Sequence, residues 1–326
     1  MTRISNHLVA FGIAMAIMPG FAVAQAQAYP NKTVRLVVPF APGGTTDLLA
    51  RVMSEKMGSA LGQTVIVENK AGAGGAIGAA EVAKASPDGY VLLMSSVSTM
   101  VTNPAINPAT PYDPIKDFVH IGNVAATPNV IAVHPSFPAK DYKTFAVALQ
   151  KNPGKYSFAT AGNGTLGHLL AELYKSYAKV YVTHIPYRGS GPALNDVVAG
   201  QVQMVVDNLP SALPFIKDKR LIPIVVAAPK RLASLPDVPT FAEVGLEPVN
   251  RMSFLGVSAP KGTPKEVVQK LNAAMKAALA DANVRARIEA TGAIVIGNTS
   301  DEYQKQISDE LLIYKNVVLL QKLKLE

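Results

Sequence analysis

Two glycine-rich loops contain the residues of this sequence that are best suited to bind a small anion. The first runs from Pro39 to Asp47 (PFAPGGTTD), between an apolar run and an amphipathic run. Its paired glycines leave backbone N–H groups accessible to a guest, and Thr45 or Thr46 is expected to cap the following helix. A helix start carries partial positive charge, so it stabilises a carboxylate or a phosphate. An ordinary strand-to-helix turn with a threonine cap fits this spacing equally well.

The second loop, Ala161–His168 (AGNGTLGH), repeats this design in the other half of the chain. Its glycines satisfy the GxGxxG pattern of dinucleotide-binding proteins. That pattern also requires an acidic residue about 20 positions later, which holds the ribose hydroxyls. The sequence has no Asp or Glu between Glu172 and Asp196. A bound dinucleotide is therefore disfavoured.

The two loops share one feature, because each follows a predicted strand and opens a predicted helix. Open α/β sheets bind ligands at the carboxyl ends of their strands. If the two helix starts face each other across a cleft, they clamp one carboxylate from both sides. Hydrogen bonds to a charged group contribute about 1.5–3 kcal/mol each. Three or four backbone donors would then reach micromolar affinity, about 8 kcal/mol, without an arginine.

Short apolar runs alternate with amphipathic runs along the chain, which predicts an α/β protein. The first half is expected to form one open sheet, and the alternation restarts after proline-rich loops at 103–114. The long helical tail has little sheet of its own and should pack on the first half. We expect two lobes, each an open, mostly parallel sheet flanked by helices, with two hinge crossings and a ligand cleft between them. The expected first lobe is 29–126 plus 250–326, and the inserted second lobe is 127–249.

The N-terminal 28 residues have the features of an export signal. Arg3 precedes an apolar run from Leu8 to Val23, and alanines follow at alternate positions. Residues 1–28 are therefore expected to be cleaved, leaving the mature protein in the periplasm. A retained membrane anchor is the alternative, but Pro19 and Gly20 interrupt the run.

The composition argues against several classes of site. The chain has no cysteine and five scattered histidines, so disulfides, thiolate chemistry and a zinc centre are not expected. The formal net charge of +8 suits an anionic ligand. The charge is dispersed, unlike the basic patch of a nucleic-acid-binding protein. We expect a monomer with no cofactor, no metal and no nucleic-acid partner.

A set of short motifs follows one order along the expected mature chain: Tyr29-Pro30, Val37–Asp47, Val67–Gly75, Pro87–Tyr90, Pro111–Pro114, Gly162–Thr165, Pro186–Gly189 and Pro236–Thr240. Together they resemble the tripartite tricarboxylate transporter substrate-binding receptors, the Bug family, over essentially the whole mature chain. The resemblance implies a class II periplasmic-binding-protein fold that closes on its ligand like a Venus flytrap. It also implies a carboxylate ligand (a dicarboxylate or tricarboxylate, an acidic amino acid or an aromatic acid) and delivery to a separate two-component integral membrane permease.

The same resemblance makes the two glycine-rich loops the carboxylate-gripping loops and makes Ser95–Thr99 a third cleft loop. Asp207 stands where the family often has Phe-Asp-Asn, with Val206 in place of the aromatic residue. The candidate ligand-binding residues are Phe40, Ala41, Pro42, Gly43, Gly44, Thr45, Thr46, Asp47, Ser96, Ser98, Ala161, Gly162, Asn163, Gly164, Thr165, His168, Tyr187, Arg188 and Asp207.

Some of these candidates have simpler structural interpretations. Tyr187 and Arg188 could reach the distal end of a ligand, or Arg188 could be a solvated rim residue. Asp207 could accept from a ligand ammonium or a water, or it could cap the next turn. His168 fits a hydrogen bonder that braces its loop better than a catalyst. The helix field alone accounts for Asp47.

Two other functions are compatible with parts of the sequence. Gly189-Ser190-Gly191 lacks the glycines that a nucleophile elbow needs two residues either side of the serine. Nothing local supports an exported hydrolase assembled from Ser190, His184 and Asp207. A ligand sensor that signals through a membrane partner would use the same fold. The expected function is a carboxylate receptor that is not an enzyme.

Overall fold

Two β-sheets, each covered by helices, organise residues 29–323, the part of the chain that this computed structural model describes. The expected export signal at 1–28 lies outside the described residues. Between residues 29 and 323, no helix combines the length and the apolar character that crossing a membrane requires.

The first sheet takes strands from both ends of the chain. Its six strands are β1 (Val34–Val38), β2 (Val65–Asn69), β3 (Val91–Ser96), β4 (Phe118–Thr127), β10 (Ser253–Pro260) and β11 (Ile294–Val295). Their spatial order is β11-β4-β10-β3-β1-β2. Its helices are α1 (Thr45–Leu61), α2 (Ala76–Ala83), α3 (Asn103–Ile106), α8 (Lys265–Ala280), α9 (Ala282–Glu289) and α10 (Ser300–Leu320), with a 3₁₀ turn at Ala73–Gly75 and a π-helical turn at Ser98–Thr102. We call this assembly the first lobe.

The second sheet is built from the middle of the chain. Its five strands are β5 (Asn129–Val133), β6 (Ser157–Thr160), β7 (Thr183–Pro186), β8 (Met204–Asn208) and β9 (Ile222–Ala227), in the spatial order β7-β6-β8-β5-β9. Its helices are α4 (Tyr142–Lys151), α5 (Leu166–Ala178), α6 (Ser190–Val198) and α7 (Leu209–Lys217), with a 3₁₀ turn at Glu247–Val249. We call this assembly the second lobe.

The two sheets have the same internal arrangement. In each, one central strand (β1 or β6) lies parallel to both its neighbours, and an antiparallel strand (β10 or β5) follows on one side. The loop after β1 and the loop after β6 are therefore equivalent in position. Each leads directly into a helix at the carboxyl end of its sheet. The two glycine-rich loops thus occupy matching positions in the two lobes.

The two-lobed α/β class predicted from the sequence is confirmed, but the sheets are mixed and not mostly parallel. β10 is antiparallel to β3 and β4, and β5 is antiparallel to β8 and β9. The cause is the path of the chain, which enters β5 and β10 directly from the other lobe. These strands therefore begin at the cleft, whereas β1, β3, β6 and β8 end there. Only Pro128 separates β4 from β5.

Two elements depart from the sequence pattern. Strand β4 contains the buried polar residues His120 and Asn123, so its apolar run is broken and does not stand out as a strand. The stretch expected to be loop at 103–114 begins with α3, which continues the π-helical turn Ser98–Thr102. Both elements lie in the first lobe, beside the cleft strands β3 and β10.

Candidate functional site

A small cavity lies between the lobes, where strands β1, β3, β6 and β8 end. Its free volume is about 30 Å³. On the same measure, a single water needs roughly 10–15 Å³. The lobes are therefore closed on each other. The lining residues are Phe40, Gly44, Thr45, Thr46, Ser96, Ser98, Ala161, Thr165, Leu166, Gly167, Ser190, Val206, Asp207 and Asn208.

Four helices start at this cavity. Helices α1 and α5 begin at Thr45 and Leu166, and α6 and α7 begin at Ser190 and Leu209, next to lining residue Asn208. Each start carries about half a unit of positive charge. Among the residues that the structure describes, no lysine or arginine lines the cavity. The positive potential there comes from the backbone.

The first glycine-rich loop is braced by its own helix. The backbone N–H of Gly43, which has a φ of 86°, donates to Asp47 Oδ2 over 3.1 Å. Asp47 Oδ1 accepts from Arg51 Nε and from Asn69 Nδ2, both at 3.0 Å. Burial alone would raise the pKa of Asp47, but these three hydrogen bonds hold it below its ordinary value. Asp47 thus stays ionised and fixes the turn.

The second loop is braced in the same way, by an imidazole. The backbone N–H of Gly164 (φ 74°) donates to His168 Nδ1 over 3.2 Å. The His168 ring stacks on His184, with ring centres 4.1 Å apart, and His184 Nε2 hydrogen-bonds Thr160 Oγ1 at 2.7 Å. Burial, and then the charge of Lys175, lowers the pKa of His168 to about 4. His168 is therefore neutral at pH 7 and can accept, which confirms the predicted bracing role.

These two hydrogen bonds determine which N–H groups of the loops remain available to a ligand. Gly43 and Gly164 supply the bend of each loop, but their N–H groups are already bonded to residues four positions later. Within the described chain, the N–H groups of Gly44, Thr45 and Thr46 have no hydrogen-bond acceptor in the protein. The same holds for Ala161 and Gly167 in the second lobe, over residues 29–323.

The expected threonine cap of α1 is wrong. Gly44 is the N-cap, and no described side chain caps this helix. Thr45 instead points its hydroxyl at the second lobe, 3.0 Å from Ser211 Oγ. In α5 a threonine does cap, since Thr165 Oγ1 accepts from the N–H of His168.

Asp207 is the one ionisable side chain in the lining of this cavity. Its two oxygens accept from Ser190 Oγ and Ser211 Oγ, each at 2.6 Å. Burial raises its pKa to about 6, although both hydroxyls favour the ionised form. Ser190 bonds this carboxylate directly, with no imidazole between them. That geometry differs from the serine–histidine–aspartate chain of a hydrolase.

Direct contacts join the lobes around the cavity. The N–H of Ala41 donates to the carbonyl of Arg188 over 3.1 Å, and Thr102 Oγ1 donates to the carbonyl of Gly164 over 2.8 Å. The N–H of Leu166 donates to Ser98 Oγ over 3.1 Å. Elsewhere a Cβ on Gly191 would collide with the carbonyl of Pro42. Glycine at 191 therefore lets the two backbones meet.

Nine of the predicted site residues line the cavity: Phe40, Gly44, Thr45, Thr46, Ser96, Ser98, Ala161, Thr165 and Asp207. The other ten are outside its lining: Ala41, Pro42, Gly43, Asp47, Gly162, Asn163, Gly164, His168, Tyr187 and Arg188. The Tyr187 hydroxyl donates to Asp196 Oδ2 over 2.6 Å. Arg188 is exposed, as a solvated rim residue would be, and its carbonyl accepts from the N–H of Ala41 across the lobes.

Five lining residues were missed: Leu166, Gly167, Ser190, Val206 and Asn208. Gly167 had a signal, because it is the third glycine of the second loop. Ser190 follows Gly189 at a helix start, and its sequence context suggests only a nucleophile. The contact of Ser190 with Asp207 spans 17 residues, and no spacing rule predicts it.

Comparison with known proteins shows the family of this chain. The sequence model of the tripartite tricarboxylate transporter family receptors (TctC) matches residues 49–325 of this chain. The chain belongs to this receptor family. Two curated relatives match over nearly their whole length. One, a protein encoded in the tcbD–tcbE intergenic region of Pseudomonas sp. strain P51, is 39% identical over 92% of this chain and 90% of its own. The other, BugT of Bordetella pertussis, is 34% identical over 98% of this chain and 97% of its own.

Several solved structures superpose on most of the chain. A periplasmic transporter superposes with a TM-score of 0.90 and 48% identity, over 92% of this chain and 100% of its own. MatC of Rhodopseudomonas palustris, solved with bound malate, gives a TM-score of 0.86 and 35% identity, over 89% and 100%. Rpa4515 of R. palustris, solved with adipate, gives a TM-score of 0.86 and 32% identity, over 90% of this chain and 98% of its own. The TctC family consists of solute-binding receptors, and its periplasmic members indicate an extracytoplasmic location.

Proposed function

We propose that this TctC-family receptor binds a small carboxylate in the interlobe cavity and delivers it to a two-component membrane permease of the tripartite tricarboxylate type. The observation that supports this best is the set of acceptor-free N–H groups at Gly44, Thr45 and Thr46 on one side and Ala161 and Gly167 on the other. These donors lie at the start of α1, at the end of β6 and in the first turn of α5, and a carboxylate has two oxygens that can accept from both lobes.

The charge balance of the cavity supports an anion. Four helix starts supply about two units of partial positive charge, and Asp207 supplies one negative charge when ionised. Because Asp207 is held by Ser190 and Ser211, the N–H groups of α1 and α5 are left for the ligand. Their hydrogen bonds to a carboxylate are of the charge-assisted kind, about twice as strong as neutral ones.

The ligand class follows the same reasoning together with the relatives. MatC holds malate and Rpa4515 holds adipate, so we place the ligand among dicarboxylates, tricarboxylates, acidic amino acids and aromatic acids. The receptor itself performs no catalysis and needs no cofactor. We propose that residues 1–28 are an export signal, that the mature monomer works in the periplasm, and that residues 29–126 with 250–326 and residues 127–249 are the moving lobes.

A thermal-shift panel tests this proposal. We expect at least one of malate, adipate, citrate, glutamate and benzoate to raise the melting temperature of the protein purified without its first 28 residues. Ligand at 100 times its dissociation constant adds about 2.7 kcal/mol to the free energy of unfolding. The fully esterified methyl ester of the same acid is the control, because it lacks the carboxylate charges that the helix starts bind. Equal stabilisation by acid and ester, or by none of the acids, would contradict the proposal.

A further inference from the structure

We propose that Ser211 and Asp207 form a latch that holds Thr45 of the first lobe and prolongs the lifetime of the closed receptor. Ser211 lies outside the cavity lining, so its role is that of a positioning residue. The effect on ligand release rests on the proposed carboxylate-binding function. The effect on closure rests on the interlobe contacts alone.

The hydrogen bonds of the latch have a defined direction. Ser211 Oγ lies 2.6 Å from Asp207 Oδ2 and 3.0 Å from Thr45 Oγ1. A hydroxyl has one proton to donate, and the short bond to the carboxylate takes that of Ser211 in preference to the carbonyl of Asn208 at 3.0 Å. Thr45 therefore donates to Ser211. In return the N–H of Ser211 donates to Thr45 Oγ1 over 3.2 Å.

The latch lies in a dry environment. Thr45 is 1% exposed, Ser211 3% and Asp207 4%. Hydrogen bonds that run in one direction through a buried chain strengthen one another, and an acceptor left without a partner there is costly. Ser190 occupies the other carboxylate oxygen. Asp207 is therefore the fixed anchor of the chain, and Thr45 is its movable end.

The latch exists only when the lobes are closed. Thr45 begins α1 in the first lobe, whereas Ser211 lies in the first turn of α7 in the second. Opening the cleft separates them and returns both hydroxyls to water, while the bond from Ser211 to Asp207 stays within the second lobe. The latch therefore slows opening without affecting the encounter of ligand with the open receptor.

Binding kinetics separate these two effects. For malate, or for the first acid of the panel that stabilises the wild type, Ser211→Ala should raise the dissociation rate about fivefold to tenfold, the cost of one buried hydrogen bond. The association rate should stay within about twofold. Ser211→Thr keeps the hydroxyl and should restore the slow rate. Ser54→Ala is the matched control, since the Ser54 hydroxyl bonds only the carbonyl of Arg51 in its own helix.

A double-mutant cycle tests the partner. Thr45→Val should raise the dissociation rate at least as much as Ser211→Ala, because it removes the bond to the Ser211 hydroxyl and also the acceptor of the Ser211 N–H. The double variant should dissociate no faster than Thr45→Val alone, because Ser211→Ala then removes no further bond between the lobes. Additive effects would overturn the pairing. An unchanged dissociation rate in Ser211→Ala, in protein whose melting shows that it is folded, would overturn the latch.

The absence of native cysteines allows a second readout that needs no ligand. Spin labels at Glu55→Cys and Gln201→Cys, exposed positions in different lobes, report the open and closed populations by pulsed dipolar spectroscopy. We expect Ser211→Ala to lower the closed population of the unliganded protein. If none of the acids binds the wild type, the proposed function fails while this distance measurement still decides the latch. Identical distance distributions in wild type and variant would contradict it.

Discussion

Gly44 is the residue at which binding and folding can best be separated. Its φ of −84° suits any residue, and a Cβ there would lie 3.2 Å from the Cβ of Ser190 in the other lobe. Gly44→Val should therefore weaken binding of a stabilising carboxylate at least about tenfold, through overpacking of the closed form. The loss of unfolding free energy should be about 1 kcal/mol, from the poorer N-cap. Titration calorimetry and urea unfolding measure the two effects.

Gly62→Ala is the control with the opposite profile. Gly62 ends α1 with a φ of 71°, and a Cβ there would meet no atom within 4 Å. The change strains the backbone by roughly 1 kcal/mol and leaves affinity unchanged. Gly43 and Gly164 are poorer test sites, because their φ values of 86° and 74° mix backbone strain with any effect on binding. Wild-type affinity in Gly44→Val would contradict the closed geometry around this loop.

At the residue scale, the sequence identified the two loops but not which of their groups bond to each other and which are left for a ligand. Helix-start patterns predicted Gly44, Thr45 and Thr46, because local spacing alone places backbone donors there. They could not show that Asp47 takes the N–H of Gly43, or that Thr45 turns to Ser211 166 residues away. The direction of Asp47 depends on Arg51 and Asn69 of its own lobe, and that of Thr45 depends on closure of the lobes.

Among the elements, the start of α5 depends on a neutral imidazole, and this gives stability a pH dependence. Burial lowers the pKa of His120 and of His168 to about 4, and burial together with His168 and Lys175 lowers that of His184 to about 3. Unfolded histidines titrate near pH 6.5, so between pH 6.5 and 4 the unfolded chain binds up to three more protons at these sites. Burial raises the pKa of Asp207 to about 6, so over about pH 6 to 4 the folded chain binds one more proton there.

As pH falls, the unfolded chain therefore gains up to three protons at these sites and the folded chain gains one, so the free energy of unfolding falls. Between pH 6.5 and 5, these four groups should make the free energy of unfolding fall as pH falls, and their contribution is at most about 2.7 kcal/mol per pH unit, two net protons at about 1.36 each. Urea unfolding at pH 7, 6 and 5 measures this slope. His168→Gln keeps an acceptor for the N–H of Gly164 but removes one titration, so its slope should be shallower by up to one proton. A slope equal to that of the wild type would show that His168 is not buried in its neutral form.

Elements with a regular apolar periodicity could be predicted from the sequence. Elements that contact other segments through buried polar residues could not. Helix α1 shows buried Leu49, Met53 and Met57 at helical spacing and ends at Gly62, so its sequence suffices. Strand β4 does not show a strand pattern, because His120 and Asn123 are buried with partners from other segments: His120 with Ser258 and Pro114, Asn123 with Gln306. Those hydrogen bonds form only in the folded chain.

For the whole molecule, two lobes with the same sheet arrangement bring two equivalent helix starts to one cavity. The alternation of strands and helices predicts two sheets, and the family resemblance predicts that they close. The direction of β5 and β10 was missed, because it follows from the crossings between the lobes and not from any run of residues. Closure also brings Thr45 to the Ser211–Asp207 pair of the second lobe, which explains why the polar network of the cleft could not be predicted locally.

A crystal structure of the complex with the carboxylate that most raises the melting temperature tests the two-sided grip most directly. We expect carboxylate oxygens within about 2.7–3.2 Å of the N–H groups of Gly44, Thr45 or Thr46 on one side and Ala161 or Gly167 on the other, directly or through one water. A carboxylate bound by one lobe only, or bound outside this cavity, would contradict the proposed receptor mechanism.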